Sequence, residues 1–134
     1  MLDQINEVAV VVSAILCVAI GSIWYSPLVL GGLWIRAVGS TVPEVSQEEN
    51  FFSIGKGIVA HILFSAVIAV CIQISIVNTI PLVHMTVLLS LFLVAYMVST
   101  VAWEKHSFVR ILINAGYGVL TTFVSVGIIA YWPW

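Results

Sequence analysis

Charged side chains are scarce in this chain. Of its 134 residues, only 7% are Asp, Glu, Lys or Arg, whereas 62% are hydrophobic, and the mean hydropathy is +1.20. A soluble domain carries about a quarter charged residues, and a chain this short cannot bury so much apolar surface away from water. The composition therefore excludes an ordinary water-soluble domain and predicts a protein whose solvent is the lipid bilayer.

Two further features are nearly absent: basic residues and cysteines. With four Lys and Arg residues and a formal charge of −2, the chain has no basic run that would favour nucleic acid. Cys17 and Cys71 each lie inside an apolar run, so they indicate small packing residues and not a disulfide framework. The start, "MLDQINEVAV", places Asp3 and Glu7 where a secretory signal has basic residues. We therefore expect the first apolar run to be retained as a transmembrane helix.

Four apolar runs are long enough to cross a bilayer, which takes roughly 20 residues. The "VNTIP" segment separates the second run from the third, because Asn78 and Thr79 favour a turn and Pro81 suits a first helical turn. We expect these two helices to form a tight antiparallel hairpin. The predicted fold is an all-α, integral membrane four-helix bundle in a single domain of residues 1–134. The spans are predicted at about 8–25, 53–77, 81–103 and 109–132.

The basic residues predict the orientation of the chain. Arg36, Lys56, Lys105 and Arg110 all lie in or beside the first and third connections. The positive-inside rule places those connections in the cytoplasm and both termini outside it. The polar segment 40–52 is then predicted to be a cytoplasmic loop.

The stretch "GSIWYSPLVLGGLWIR", residues 21–36, predicts a change from one kind of helix to another. Ser26 is a suitable cap for a new helix, and Pro27 fits its first position. The residues that follow are apolar except for one arginine, which is typical of a helix lying along the membrane surface. We predict an interfacial helix over about 27–38 that stops at Gly39.

Glycines and aromatic residues complete the description of the membrane surface. The pair Gly31-Gly32 in the interfacial helix indicates a kink or a close approach of another backbone segment. Tryptophan and tyrosine are enriched at the depth of the lipid headgroups. The predicted interfacial anchors are Trp24, Tyr25, Trp34, Arg36, Trp103, Trp132 and Trp134.

Both ends of the chain carry a resemblance to a known family. The stretch "GSIWYSPLVLGGLWIRAVG" at 21–39 and the stretch "INAGYGVLTTFVSVGIIAYWP" at 113–133 resemble the two signatures of DUF1761, a family of small bacterial membrane proteins of unknown function. Gly32 departs from the family pattern, which often has a basic residue there. The resemblance implies a four-helix protein of the bacterial plasma (inner) membrane and implies no particular activity.

Polar residues inside the spans are the candidates for function, because they are costly to keep in lipid. The first helix carries a small-residue strip typical of packing: Ala9, Ser13, Cys17 and Gly21. On the second helix, His61 lies about 8 Å along the axis from Lys56. It is interpreted either as a neutral, hydrogen-bonded core histidine or as a proton, metal or haem site. The candidate polar interior residues are His61, Ser65, Gln73, Glu104, Asn114, Tyr117 and Thr121.

A polar strip on the second helix is predicted to face another on the fourth. The first strip runs from Gly57 through His61 to Gln73, and the second runs from Asn114 to Ser125. An unpaired polar group in hydrocarbon costs several kcal/mol. We therefore expect the two strips to pair, either within one copy or across a subunit boundary.

The motif content favours a protein without catalytic machinery. No nucleophile–base pair, phosphate loop or Cys/His ligand spacing occurs in the sequence, so no cofactor or metal is predicted. The leading hypothesis is a non-enzymatic membrane protein that contacts lipids and packs as a homo-oligomer or as an accessory subunit of a larger complex. The alternative is a small oligomeric channel or carrier with a polar path through the bundle. A third hypothesis is an electron-transfer subunit that binds haem or a quinone, with His61 as a ligand.

Overall fold

The described part of the chain is entirely helical. A computed structural model describes residues 5–39, 47–104 and 107–133, with side chains omitted at 47–52 and 101–104. No strand occurs in these ranges, so the all-α prediction is confirmed there. The helices are α1 (Glu7–Trp24), α2 (Gly31–Val38), α3 (Gln47–Val77), α4 (Leu82–Glu104) and α5 (Phe108–Ala130).

Four of these helices are long and apolar enough to cross a membrane. The spanning segments are Glu7–Trp24, Ser53–Val77, Leu82–Thr100 and Phe108–Ala130, close to the predicted spans. Helix α3 begins at Gln47, so the segment predicted as a polar loop at 40–52 is helical from residue 47, and residues 40–46 lie outside the described ranges. The "QEEN" sequence explains this extension, because acidic residues suit the first turn of a helix.

The connection between α3 and α4 is a tight turn. Ser75 Oγ donates to the carbonyl of Ile80 over 2.6 Å, and the Ile80 amide donates back to the Ser75 carbonyl. Thr79 has a φ of 54°, in the left-handed region, and Asn78 Nδ2 donates to the carbonyl of Ile74. The break predicted from "VNTIP" therefore forms through its own polar side chains.

The hairpin that this turn joins is open and not tight as expected. Helix α4 packs mainly on α5 and has few contacts with α3. An apolar groove of about 270 Å³ lies between α3 and α4, with Phe64 on one wall and Phe92 on the other. Gly118 of α5 explains the preference of α4, because a Cβ there would already touch Met97 of α4 at 3.4 Å. Phe64 and Phe92 thus line a gap between α3 and α4. The missing side chain at Gly118 allows α4 to lie close to α5.

Helix α5 is the centre of the bundle. It contacts α1, α2, α3 and α4, whereas α1 packs on α3 and α5. Small polar residues share the interior with an apolar cluster that includes Ile68 and Ile72. The most deeply buried polar residues are Ser13, Ser65, Ser75, Thr121, Thr122 and Ser125. Many large apolar side chains also lie on the exterior, which suits an apolar solvent.

The connection between α1 and α2 differs from the prediction at its start. Helix α2 begins at Gly31, not at Pro27, and no side chain caps it. The backbone carbonyl of Ser26 accepts from the amides of Val29 and Gly31, so these residues form turns first. A Cβ added at Gly31 would collide with the Tyr25 carbonyl oxygen, which identifies a close backbone approach. The helix ends at Gly39, with φ at 72°, as predicted.

Candidate functional site

Three serines from three helices meet in the middle of the bundle. Ser13 Oγ of α1 donates to Ser125 Oγ of α5 over 2.9 Å, and it lies 3.2 Å from Ser65 Oγ of α3. Cys17 Sγ lies 3.4 Å from Ser125 Oγ. All four side chains are fully buried. The small strip of α1 is therefore used within one copy of the chain.

A histidine and a tyrosine form the next polar contact along α5. Tyr117 Oη lies 2.7 Å from His61 Nε2 and donates to the Cys17 carbonyl over 2.9 Å. A carbonyl oxygen only accepts, so the tyrosine proton is used on Cys17. In its neutral form His61 then donates from Nε2, and Nδ1 carries the lone pair. That Nδ1 atom is buried and has no hydrogen-bond partner among the described residues.

Asn114 connects the start of α5 to α2 and to the end of α1. Its Oδ1 accepts from Tyr25 Oη over 3.0 Å and from Trp34 Nε1 over 3.2 Å. An indole nitrogen only donates, so this bond fixes which end of the amide is oxygen. The Tyr25 ring packs edge-on against both Trp34 and Tyr117, with centroid separations of 5.9 and 5.4 Å. The polar atoms of Tyr25 and Trp34 are thus bound within the protein.

Two glycines make room for the rings of the opposite helix. A Cβ at Gly21 of α1 would lie 2.8 Å from Tyr117 Oη, and a Cβ at Gly116 of α5 would lie 3.1 Å from the Trp24 ring. Trp24 Nε1 donates to the carbonyl of Ile113 over 3.1 Å. Helices α1 and α5 therefore pack closely here, because each helix places an aromatic ring against a glycine of the other.

An open cleft of about 540 Å³ adjoins these contacts. It lies at the end of the bundle that carries α2, which we call the α2 end, and it is lined by Tyr25, Trp34, Met97, Asn114 and Tyr117. The volume falls in the range of roughly 300 to 1,000 Å³ typical of small-molecule sites. Tyr117 thus contacts the cleft and His61 together. The arrangement can hold a small molecule against aromatic rings and one amide.

The predicted polar residues do not form one continuous site. Asn114 and Tyr117 line the cleft, and His61 lies behind Tyr117. Ser65 belongs to the serine cluster, and Thr121 Oγ1 bonds to backbone carbonyls of its own helix. Gln73 lies twelve residues after His61 on α3, about 18 Å away along the axis, beside a small pocket near Asn6. The side chain of Glu104 lies outside the description.

The interfacial anchors have different surroundings from those predicted. Trp24, Tyr25 and Trp34 donate to α5, where headgroup contact was expected. Trp132 packs against the apolar core near the opposite end, and the exposed Arg36 donates to the Gly32 carbonyl of its own helix. Trp134 and the side chain of Trp103 lie outside the described part.

Sequence reasoning missed three contributors to the cleft. Met97 carries no polar atom and lies on an apolar helix, so nothing in its surroundings singled it out. The roles of Tyr25 and Trp34 were missed because an aromatic residue near the membrane surface has the composition of a headgroup anchor. Within the described residues, no three His, Cys, Asp or Glu side chains group as metal ligands. The Nδ1 atom of His61 is the one buried imidazole nitrogen there with a lone pair unused.

Comparison with known families assigns the chain. The model of the family described as "Protein of unknown function (DUF1761)" matches residues 8–130. The chain belongs to DUF1761. This confirms the resemblance seen at both ends, whereas no curated protein and no solved structure matches.

The structure gives the two segments that carried the resemblance a shared physical role. In this DUF1761 protein, the segment from Gly21 to Pro27 contacts the segment from Asn114 to Gly118 through ring packing and hydrogen bonds. The two segments are about ninety residues apart in the sequence, with Tyr25 and Asn114 separated by 89 positions. These two segments supply Tyr25, Asn114 and Tyr117 to the lining of the cleft. Trp34 of α2, which follows the first segment, supplies a fourth group.

Proposed function

We propose that this protein is a multi-pass integral membrane protein that binds a small molecule in the cleft at its α2 end. The observation that carries the proposal is the cleft itself, whose lining combines three aromatic rings, a thioether and an amide. Such a lining, mostly apolar with few polar groups, is typical of ligand sites. The protein acts by binding and not by catalysis, in keeping with the absence of a nucleophile–base pair from the sequence.

The distribution of positive charge supports an orientation for this site. Arg36, Lys56 and Arg110 belong to the α2 end, on α2 and near the starts of α3 and α5. The positive-inside rule then places the cleft on the cytoplasmic side of the plasma (inner) membrane, with both termini outside. The proposed ligand would enter from the cytoplasm or from the inner leaflet.

A continuous polar path through one copy is less well supported. Ser13, Ser65 and Ser125 are fully buried and hydrogen-bonded to one another just beyond His61. A path would have to break these bonds to continue past them. The polar strips therefore act as packing contacts in the middle of the bundle.

Two tryptophan variants test the proposal. Met97→Trp puts an indole ring into the cleft. Val98→Trp puts the same ring at the next position, where the native side chain is 52% exposed. Native mass spectrometry of the detergent-extracted protein should show a small bound molecule in the wild type and in Val98→Trp but not in Met97→Trp. A wild-type protein without such a molecule, or retention in Met97→Trp, would contradict the proposal.

A second candidate function is supported by α4. It is the least buried span, with 11% of its apolar window buried against 39% for α5. Phe92 and Tyr96 are exposed on it. These features favour α4 as the face of a homo-oligomer or of an accessory subunit. The mass of the native particle tests this candidate, because Phe92→Ala should lower the mass only if α4 forms the contact.

A further inference from the structure

The polar atoms of the cleft leave hydrogen-bond donors free but few acceptors. Asn114 Oδ1 already accepts from Tyr25 and Trp34, and Tyr117 Oη is occupied by Cys17 and His61. The amide NH₂ of Asn114 has no partner among the described residues. The cleft therefore offers a ligand mainly hydrogen-bond donors from one amide, so a matching ligand needs an acceptor oxygen.

The remaining surface of the cleft is flat and apolar. Tyr25, Trp34 and Tyr117 contribute rings, and Met97 contributes a polarisable thioether that contacts aromatic groups favourably. Aromatic walls favour a planar ring, which they contact by stacking or edge-on packing. A ligand that satisfies both the walls and the amide is a planar ring that bears a carbonyl group.

The amide decides between this ligand and a cation. Aromatic rings also bind quaternary ammonium groups, so the walls alone leave both classes open. An amide NH₂ donates a hydrogen bond to an acceptor oxygen and offers no acceptor to a cation, so it favours the ring that bears a carbonyl group.

From these observations we propose that the cleft binds a planar ring whose carbonyl oxygen accepts a hydrogen bond from Asn114 Nδ2, as a quinone ring would. This inference rests on the proposed binding function and names its ligand class. Because the cleft lies at the end of the spans, next to α2, it is placed to receive such a ring from a molecule dissolved in the bilayer.

Two probes and a nearly isosteric variant test the ligand class. The probes are 2-methyl-1,4-naphthoquinone and 2-methylnaphthalene, which share a ring system but differ in the carbonyl groups. Asn114→Asp keeps the oxygen that accepts from Tyr25 and Trp34 but replaces the NH₂ donor with a negatively charged oxygen. Asn78→Asp makes the same change at the opposite end of the bundle, where the Asn78 amide bonds only to its own helix.

Calorimetric titration in lipid nanodiscs, corrected with empty nanodiscs, gives the comparison. The wild type should bind the naphthoquinone at least tenfold more tightly than the naphthalene. Asn114→Asp should lose at least tenfold in quinone affinity, whereas Asn78→Asp should not change it. Met97→Trp, which leaves Asn114 intact, should abolish binding of the quinone.

The outcomes separate a wrong ligand class from a wrong site. Equal affinity for the two probes, or unchanged quinone affinity in Asn114→Asp, would overturn the carbonyl contact. Binding of tetramethylammonium that becomes tighter in Asn114→Asp would assign the cleft to cations, so the ligand class would fail while the binding function stood. Quinone binding unaffected by Met97→Trp would place the quinone outside the cleft and overturn the inference, whatever the native mass measurement showed.

Discussion

The Tyr117 hydroxyl on α5 occupies the space that a side chain at Gly21 on α1 would need. A Cβ at Gly21 would lie 2.8 Å from that oxygen, which is closer than real Cβ contacts come. The same oxygen bonds to the Cys17 carbonyl one turn earlier on α1. The hydrogen bond from Tyr117 to the Cys17 carbonyl can therefore form only because residue 21 has no side chain.

Gly21→Ala should therefore destabilise the bundle. The methyl group would push the Tyr117 ring away, and overpacking of this kind costs about 1 to 3 kcal/mol. The matched control is Gly127→Ala on α5, where nothing lies within 4 Å of the added carbon. Unfolding in mixed micelles of a mild detergent and SDS should show a loss for Gly21→Ala and no loss for the control. Equal stability of the two variants would contradict the steric explanation.

Removing the tyrosine hydroxyl should leave two groups without a partner. Tyr117→Phe deprives both the Cys17 carbonyl and His61 Nε2 of their hydrogen bond. We expect a loss of about 1 to 2 kcal/mol, because bonds between membrane helices contribute about 0.6 kcal/mol on average and up to about 1.7. Tyr96→Phe is the control, since that ring is 61% exposed and its hydroxyl has no hydrogen-bond partner among the described residues. Unfolding free energies in the same micelles measure both, and a control as damaging as Tyr117→Phe would refute the assignment.

The serine cluster predicts a contrast between two serines of α1. Ser13→Ala removes the group that bridges Ser65 and Ser125, so it should lower the unfolding free energy by about 0.6 to 1.7 kcal/mol. Ser22→Ala removes only a bond to the Val18 carbonyl of the same helix and should change little. If Ser13→Ala proves as stable as wild type in an SDS titration, the cluster does not hold the helices together.

Adjacent glycines in α2 should respond differently to the same substitution. A Cβ at Gly31 meets the backbone around Tyr25 and Ser26, which cannot rotate away, whereas a Cβ at Gly32 meets nothing. Gly31→Ala should therefore displace α2 and weaken the Trp34–Asn114 contact, with a loss of about 1 to 3 kcal/mol. Gly32→Ala should be neutral or slightly stabilising, because alanine favours helix. Trp fluorescence during unfolding reports both, and identical behaviour would rule out the close approach.

The orientation of the chain is testable with cysteines. In a background with Cys17 and Cys71 replaced by alanine, single cysteines at positions 2 and 134 should react with an impermeant thiol reagent in intact cells. A cysteine at position 46 should react only after the membrane is opened. The reason is that all four Lys and Arg residues lie in or beside the first and third connections. Labelling of position 46 in intact cells would reverse the assignment.

Hydropathy was enough to predict where the four long helices lie. The second predicted span, 53–77, ends with α3 at Val77, although the helix already begins at Gln47. The predicted end of α2 before Gly39 is also observed. These features depend on local composition and on glycine at a positive φ, which the sequence displays directly. By contrast, the sequence does not show how tightly α4 packs on α3, since that depends on Phe64, Phe92 and Gly118 on three different helices.

The cleft was predictable only in part. Asn114 and Tyr117 stood out as polar residues in a span, but Tyr25 and Trp34 resembled headgroup anchors. A ring at the end of a span has the same sequence pattern whether its polar atom faces lipid or a side chain 89 or 80 residues away.

The central place of α5 has a consequence for the order of assembly. It contacts α1, α2, α3 and α4, yet it follows all of them in the chain. Each earlier helix is synthesised before its partner on α5 exists. Ser13 can therefore meet Ser65 first, whereas Tyr25 and Trp34 must wait for Asn114. The contacts that close the bundle, and with them the cleft, form only once α5 has been made.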